Sequence, residues 1–327
     1  MASMDARNAP QGTPGPWPHR LALATWIASI PLVLFGGTVT TMRAGMAEDG
    51  WLNPDGHFLW FYPLARRAQS LGFFVEHHHR EFGSLVGLLA IGAAICAWRR
   101  EDRRLGRVLP GLALLAVCLQ GLLGGLRVLE NSPNLAFVHG ALAQAVFALL
   151  AATVVYLSPR WRAARATEDP LGGASARSSS TAAVLTFAQV VLGAIFRHSG
   201  NDLALSMHVL LSVGVLASVV VTCRHLRTAA RQGEELGVDR RVLLAVVVRL
   251  QTLLGLQVLL GLLTTFFIYE VSGGMQAPVS LGEAVFATAH VAVGALLLAS
   301  TVEAALWSRR VLIPVSGSGW TAVEGAR

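Results

Sequence analysis

The sequence predicts an all-helical integral membrane protein with eight transmembrane helices, arranged as two pseudo-repeated four-helix bundles. Three observations carry that prediction. Hydrophobic residues make up 54% of the chain and charged residues only 14%, whereas a water-soluble domain carries about 25% charged residues. Eight apolar stretches, near 21–41, 76–98, 108–127, 135–157, 181–197, 203–223, 242–268 and 283–307, approach or exceed the roughly 20 residues that a helix needs to cross a bilayer. Backbone groups in lipid must bond within the segment, so such stretches are helices, and the short alternating strands of a β-barrel are absent. The third observation is where the charge sits.

All of the basic residues are arginine, and the formal net charge is +7. Arg99, Arg100, Arg103, Arg104 and Arg107 share one loop; Arg160, Arg162, Arg165 and Arg177 share the next loop but one. Arg224, Arg227, Arg231, Arg240 and Arg241 fill the following alternate loop, and Arg309 and Arg310 follow the last span. Positive charge on alternate loops is the mark of membrane orientation, and it puts both termini in the cytoplasm. The basic balance therefore reads as topology in a lipid environment, not as a nucleic-acid surface.

The first span, 21–41, follows a Pro/Gly-rich start (Pro10 to Pro18) and reads as an uncleaved helix rather than a leader. Cys96, Cys118 and Cys223 fall within or at the edges of spans, where a disulfide is not expected. Residues 158–180 are polar and rich in Arg, Ser and Gly. They divide the chain into a cytoplasmic tail (1–20), an N-terminal bundle (21–157), a linker (158–180), a C-terminal bundle (181–308) and a second cytoplasmic tail (309–327). Gln120, Gln189 and Gln257 each begin a Gln-x-x-Leu-Gly pattern, in the third, fifth and seventh spans. His139 follows Gln120 and His208 follows Gln189 by the same interval, as expected of a recurring helix pair. The first outer loop, from Met42 to Val75, holds Trp51, Trp60, Phe61 and Tyr62, aromatics suited to the membrane interface, and is expected to lie across the bundle.

Four histidines recur in matched places. His79, His139, His208 and His290 lie in the first turns of the even-numbered spans, at a common depth of roughly 5–10 Å. Singly each is a packing residue; together, two per bundle, they fit pairs of axial imidazoles for heme iron. Gly83, Gly140 and Gly294 would leave room for a planar ring. The glutamines would supply hydrogen bonds to the ligands or between helices. Glu76, His79 and Arg80 share one helix face, and an acid, a ligand and a cation together in lipid point to a site. His77 and His78 point away from that face at 100° per residue.

These residues resemble the heme A synthase family, whose members oxidise heme O to heme A for cytochrome oxidase. The likeness spans nearly all eight helices. It is sharpest at Gly36-Gly37-Thr38-Val39-Thr40, at Ala44-Gly45-Met46-Ala47, at Glu76-x-x-His79-Arg80 and at the later histidines. The resemblance implies an oxidoreductase acting on a heme methyl group in the inner (cytoplasmic) membrane. It implies that His79 and His139 receive heme O, the substrate, and that His208 and His290 ligate a heme B cofactor. Glu76, with Arg80, would be catalytic beside the substrate methyl. Heme O synthase and oxidase assembly proteins are the implied partners. Arg197 and His198, just outside the fifth span, read either as an interfacial pair or as contacts for heme propionates. The chain departs from the family where Glu48-Asp49-Gly50-Trp51 follows Ala47, and it lacks the outer-loop cysteine pair of some members. Other readings of the same residues are a diheme cytochrome that moves quinol electrons, a heme carrier or assembly factor, and a transporter without heme. Only Arg249 is charged in mid-membrane, which disfavours the last.

Overall fold

The computed structural model describes residues 15–47, 50, 51, 56–63, 70–232 and 240–315. The Glu48-Asp49 departure, the start of the N-terminal tail and the end of the C-terminal tail lie outside them.

Eight long helices form: α1 (Trp17–Thr41), α2 (Leu71–Arg100), α3 (Arg104–Leu129), α4 (Pro133–Leu157), α5 (Gly172–Ser199), α6 (Asp202–Gln232), α7 (Arg240–Phe266) and α8 (Leu281–Val311). All are long and apolar enough to cross a membrane. Each runs beyond its apolar stretch, because capping groups continue the backbone bonding into the polar flanks. Ser70 Oγ accepts from the Phe73 amide (3.1 Å), Ser132 Oγ from Leu135 (3.3 Å) and Ser280 Oγ from Glu283 (3.2 Å), so α2, α4 and α8 begin at serine caps. Gly200, at φ 65°, supplies the left-handed residue that ends α5.

The largest extension is at α5, which starts inside the polar stretch read as linker. Ser178, Ser179 and Ser180 lie within the helix and bond back to the carbonyls of Ser175 and Ala176. Ser179 Oγ also meets Ser308 Oγ of α8 at 2.9 Å. A serine run looks like a linker because serine competes for backbone bonds; packed between helices, its hydroxyl bonds its own helix and its neighbour.

Small residues face inward and large ones outward. In α2, Val86, Ala90, Ala93 and Ala97 are buried, while Leu88, Ile91, Ile95 and Trp98 are exposed. That inversion suits lipid, where close backbone approach rather than water exclusion drives helix packing. Helices α1–α4 pack as a ring (α1 on α2, α2 on α3, α3 on α4, α4 on α1), and α5–α8 pack as a second ring in the same order. The rings meet where α1 and α4 touch α8 and α4 touches α5. A short parallel pair, β1 (Thr167–Asp169) with β2 (Leu312–Pro314), ties the α4–α5 connection to the end of α8. Arg310 reinforces it by donating to the Trp161 and Ala164 carbonyls at 3.3 and 2.6 Å. The three cysteines are free.

Candidate functional site

The four matched histidines meet in two pairs. His79 of α2 faces His139 of α4 with ring centroids 6.4 Å apart, and His208 of α6 faces His290 of α8 at 6.3 Å. Their helices start earlier than the apolar stretches, so the rings lie about 9–14 Å along them from the first helical residue. Two imidazoles holding one metal atom from opposite sides put their centroids about 6.3 Å apart, given metal–nitrogen bonds of about 2.0–2.1 Å. Ordinary edge-to-face contacts span the same range, so the distance alone does not decide.

What distinguishes these pairs is how each ring is seated on the preceding helix. His79 Nδ1 is 3.1 Å from the Leu32 carbonyl of α1, and His208 Nδ1 is 3.0 Å from the Gln189 carbonyl of α5. Committing Nδ1–H to a carbonyl leaves Nε2 as the coordinating nitrogen and fixes the ring plane, the usual support of a metal-bound imidazole. Four residues beyond each carbonyl lies a glycine on which the ring rests. A Cβ added at Gly36 would come within 2.7 Å of His79 Cε1, and one at Gly193 within 2.9 Å of His208 Cε1. Gly124 and Gly261 stand in the same relation to His139 and His290, each at 3.1 Å. Gly83, Gly140 and Gly294 do not meet these four rings. The signal for Gly124, Gly193 and Gly261 was the last residue of the Gln-x-x-Leu-Gly pattern, which Gly36 does not share.

The glutamines of that pattern bond across to the histidine helices. Gln189 Nε2 donates to the His208 carbonyl at 2.8 Å. Gln120, with its amide nitrogen turned toward α4, donates to the His139 carbonyl at 3.2 Å. Gln257 Nε2 is 3.2 Å from His290 Nε2, while His290 Nδ1 is buried without a hydrogen-bond partner. Glycine cradles under all four rings, with Nδ1 of His79 and of His208 committed to a carbonyl, fit a metal-centred group between the imidazoles of each pair. Among the described residues no three His, Cys, Asp or Glu side chains converge as a metal cluster.

The surroundings of the two pairs differ. Beside His79, Glu76 is 1% exposed and both its oxygens are engaged: Oε1 by Arg80 Nη2 (2.9 Å) and Oε2 by the Ala47 amide (2.8 Å). Arg80 Nη1 in turn donates to the carbonyls of Gly50 (2.8 Å) and Trp51 (3.1 Å). The first outer connection is thereby fastened across the His79–His139 end of the bundle, with Trp51 lying against Gly125 and Arg127 against Gly45. Arg127, on α3, is electrostatically coupled to Glu76 and Arg80 and was missed in sequence, where it looked like one more helix-end arginine.

His77 and His78 turn from the pair. His77 is buried between Tyr62 and Phe73, and His78 lies on Phe35 and Phe74. The aromatics expected at the interface divide accordingly. Tyr62 is buried under the connection, and Trp60 and Phe61 are exposed. Between the two histidine pairs, Arg197 of α5 reaches α1, donating to the Gly37 carbonyl (2.8 Å) and to Thr41 Oγ1. His198 beside it contacts Phe137 and borders Gly140. Arg249 is paired with Glu303.

Comparison with known proteins gives two findings. The family described as cytochrome oxidase assembly protein matches residues 19–302, nearly the whole membrane portion. Two curated relatives, protoheme IX farnesyltransferases from two strains of Halobacterium salinarum, are 29% identical over 126 residues, 38% of this chain. The match covers 27% and 26% of those proteins, about a quarter of their length. No solved structure matches the chain.

Proposed function

The chain belongs to the cytochrome oxidase assembly protein family, the heme A synthase family, and on that premise we propose that it oxidises a methyl group of heme O to the formyl group of heme A. One observation carries the reading: of two histidine pairs with the same spacing, one alone has a buried carboxylate one helical turn from its ligand. Conversion of a methyl to a formyl group takes up one water oxygen and releases four electrons and four protons, through an alcohol and then a hydrated aldehyde. Removing electrons from the methyl carbon develops positive charge there, which the Glu76 carboxylate stabilises or relieves by accepting a proton. Arg80 fixes the orientation of that carboxylate and, through Gly50 and Trp51, holds the covering connection that limits water. His79 and His139 hold the substrate iron. His208 and His290 hold heme B, which supplies one-electron chemistry when bound. Arg197, Arg127 and His198, at the same end, are suited to heme carboxylates. The partial likeness to enzymes named for farnesylating protoheme fits a source of farnesylated heme as partner.

The test is Glu76→Ala, co-expressed with a heme O source, with extracted hemes separated by chromatography. Heme A is expected to fall by a factor on the order of 10²–10⁴ while total heme in the purified protein is kept. Undiminished heme A would sink the catalytic carboxylate. The equal spacing of the two pairs favours a second reading, a diheme electron carrier, which predicts heme that never changes in the wild-type protein either.

A further inference from the structure

All four histidines rest on a glycine of the preceding helix, and one of the four seats lacks a carboxamide. In α3, α5 and α7 the residue four before the glycine is Gln120, Gln189 or Gln257, and its carboxamide reaches the histidine or its helix. In α1 the same position is Leu32, which gives His79 its backbone carbonyl but has no amide to give. The Leu32 side chain instead lies over Gly83 of α2, 3.9 Å from where a Cβ there would be. His79 is thus seated by one hydrogen bond and a glycine surface, whereas His139 and His208 have their own backbone clamped as well.

The two rings of helices also differ at the end remote from the histidines. Between α1, α2, α3 and α4, toward the arginine-rich end, a small cavity is lined by Ala22, Thr25, Ala90, Ala93, Ala113 and Thr153. The corresponding region of α5–α8 is a continuous apolar core through Val219, Leu226, Leu243, Val246, Leu250 and Trp307.

Resting on the heme reading above, we infer that Leu32 makes His79 the releasable ligand of the four: the N-terminal heme is held firmly by His139 and reversibly by His79. Substrate must enter and product must leave at this pair, while a resident cofactor needs neither. A site that exchanges its heme needs one ligand that lets go, and the missing amide supplies it on the side that also carries Glu76. Leu32 acts through His79, so it is a positioning residue.

The test uses carbon monoxide as a probe, because CO binds reduced iron only after one imidazole has left. In the dithionite-reduced, heme-loaded protein, stopped-flow CO binding is expected to be faster at the N-terminal pair than at the C-terminal pair. The signals are assigned by comparing His79→Ala and His290→Ala. Leu32→Gln, nearly isosteric, is expected to slow the fast phase about three- to tenfold, the worth of one added hydrogen bond, and Leu32→Met to leave it unchanged. Gln120→Leu, which removes the matching clamp from His139, is expected to speed it, and it serves if Leu32→Gln does not fold. A fast phase untouched by Leu32→Gln, or one belonging to the C-terminal heme, overturns the inference and leaves the synthase reading standing. If His79→Ala combined with His139→Ala costs the protein no heme, the functional reading itself fails, and this one with it.

Discussion

The two ends that hold histidine pairs teach most when set side by side. Both pairs have centroids 6.3–6.4 Å apart, and each ring rests on a glycine of the preceding helix. What differs is the charge around them. Three residues before His79 stands Glu76; three residues before His208 stands Leu205, and before His290, Ala287. After His79 comes Arg80; after His208 and His290 come Val209 and Val291. The N-terminal pair has a fastened polar cover, and the C-terminal pair has a tightly packed apolar core behind it. Under the proposed function, one scaffold would hold a group in the same way twice and act on it only once, since chemistry at a carbon needs a placed charge and electron transfer needs only a rigid, dry seat.

The comparison breaks most visibly if the C-terminal pair is dispensable. His208→Ala combined with His290→Ala is expected to halve the heme bound per chain, by pyridine hemochrome, with the N-terminal heme retained. Heme A formation is expected to drop on the order of 100-fold or more, because electrons leaving the substrate lose their exit. Undiminished formation in a chain with half the heme would mean that the two pairs are not substrate and cofactor sites.

A smaller effect separates the seat from the ligand. Gly193→Ala pushes a methyl group into His208, whereas Gly255→Ala, in α7, meets open space. The first is expected to destabilise heme binding at the C-terminal pair by ~1–3 kcal/mol, the cost of overpacking a fitted site, and the second to have no effect on it. Heme retention during dilution in detergent measures both. Gly124→Ala is expected to act in the same way on the N-terminal pair alone. If all three variants behave alike, the glycines are only helix-packing residues.

How much of this could be read from sequence follows from the same contrast. The helices were legible because lipid demands long apolar runs, and the histidines because they recur at one depth. Glu76 and Arg80 were legible because an acid and a cation one turn apart in an apolar helix are costly. The seats were not, because the contact of Gly36 or Gly193 with an imidazole joins two helices, and pattern along one helix does not report what faces it. Leu32 was invisible for a further reason: its meaning lies in being unlike Gln120, Gln189 and Gln257, and α1 had not been aligned with them. The start of α5 was misjudged because Ser178–Ser180 have the composition of a linker, and only the Ser179–Ser308 bond shows that they pack.

The smallest expected effect concerns how the first ring is held to the α4–α5 connection, at the end remote from the histidines. Outside the spanning segments, Glu101 bonds Arg103 (2.9 Å) and Arg162 (2.6 Å), and Arg162 also bonds Asp102 at 2.9 Å. The network that Asp102 shares with Glu101 and Arg162 holds its carboxyl down to about 2. A carboxyl lowered on folding stabilises the folded state above its unfolded value of about 3.9 and loses that contribution as pH falls toward 2. Asp102 is nearly half exposed, so solvent screening keeps its contribution below ~1 kcal/mol. The melting temperature in detergent is expected to fall slightly between pH 5 and pH 2, and Asp102→Asn to remove part of that slope while leaving both histidine pairs spectroscopically unchanged. A shift in heme spectra with this variant would mean that the remote clamp sets the geometry of the pairs, and their difference could no longer be assigned to the residues around each histidine alone.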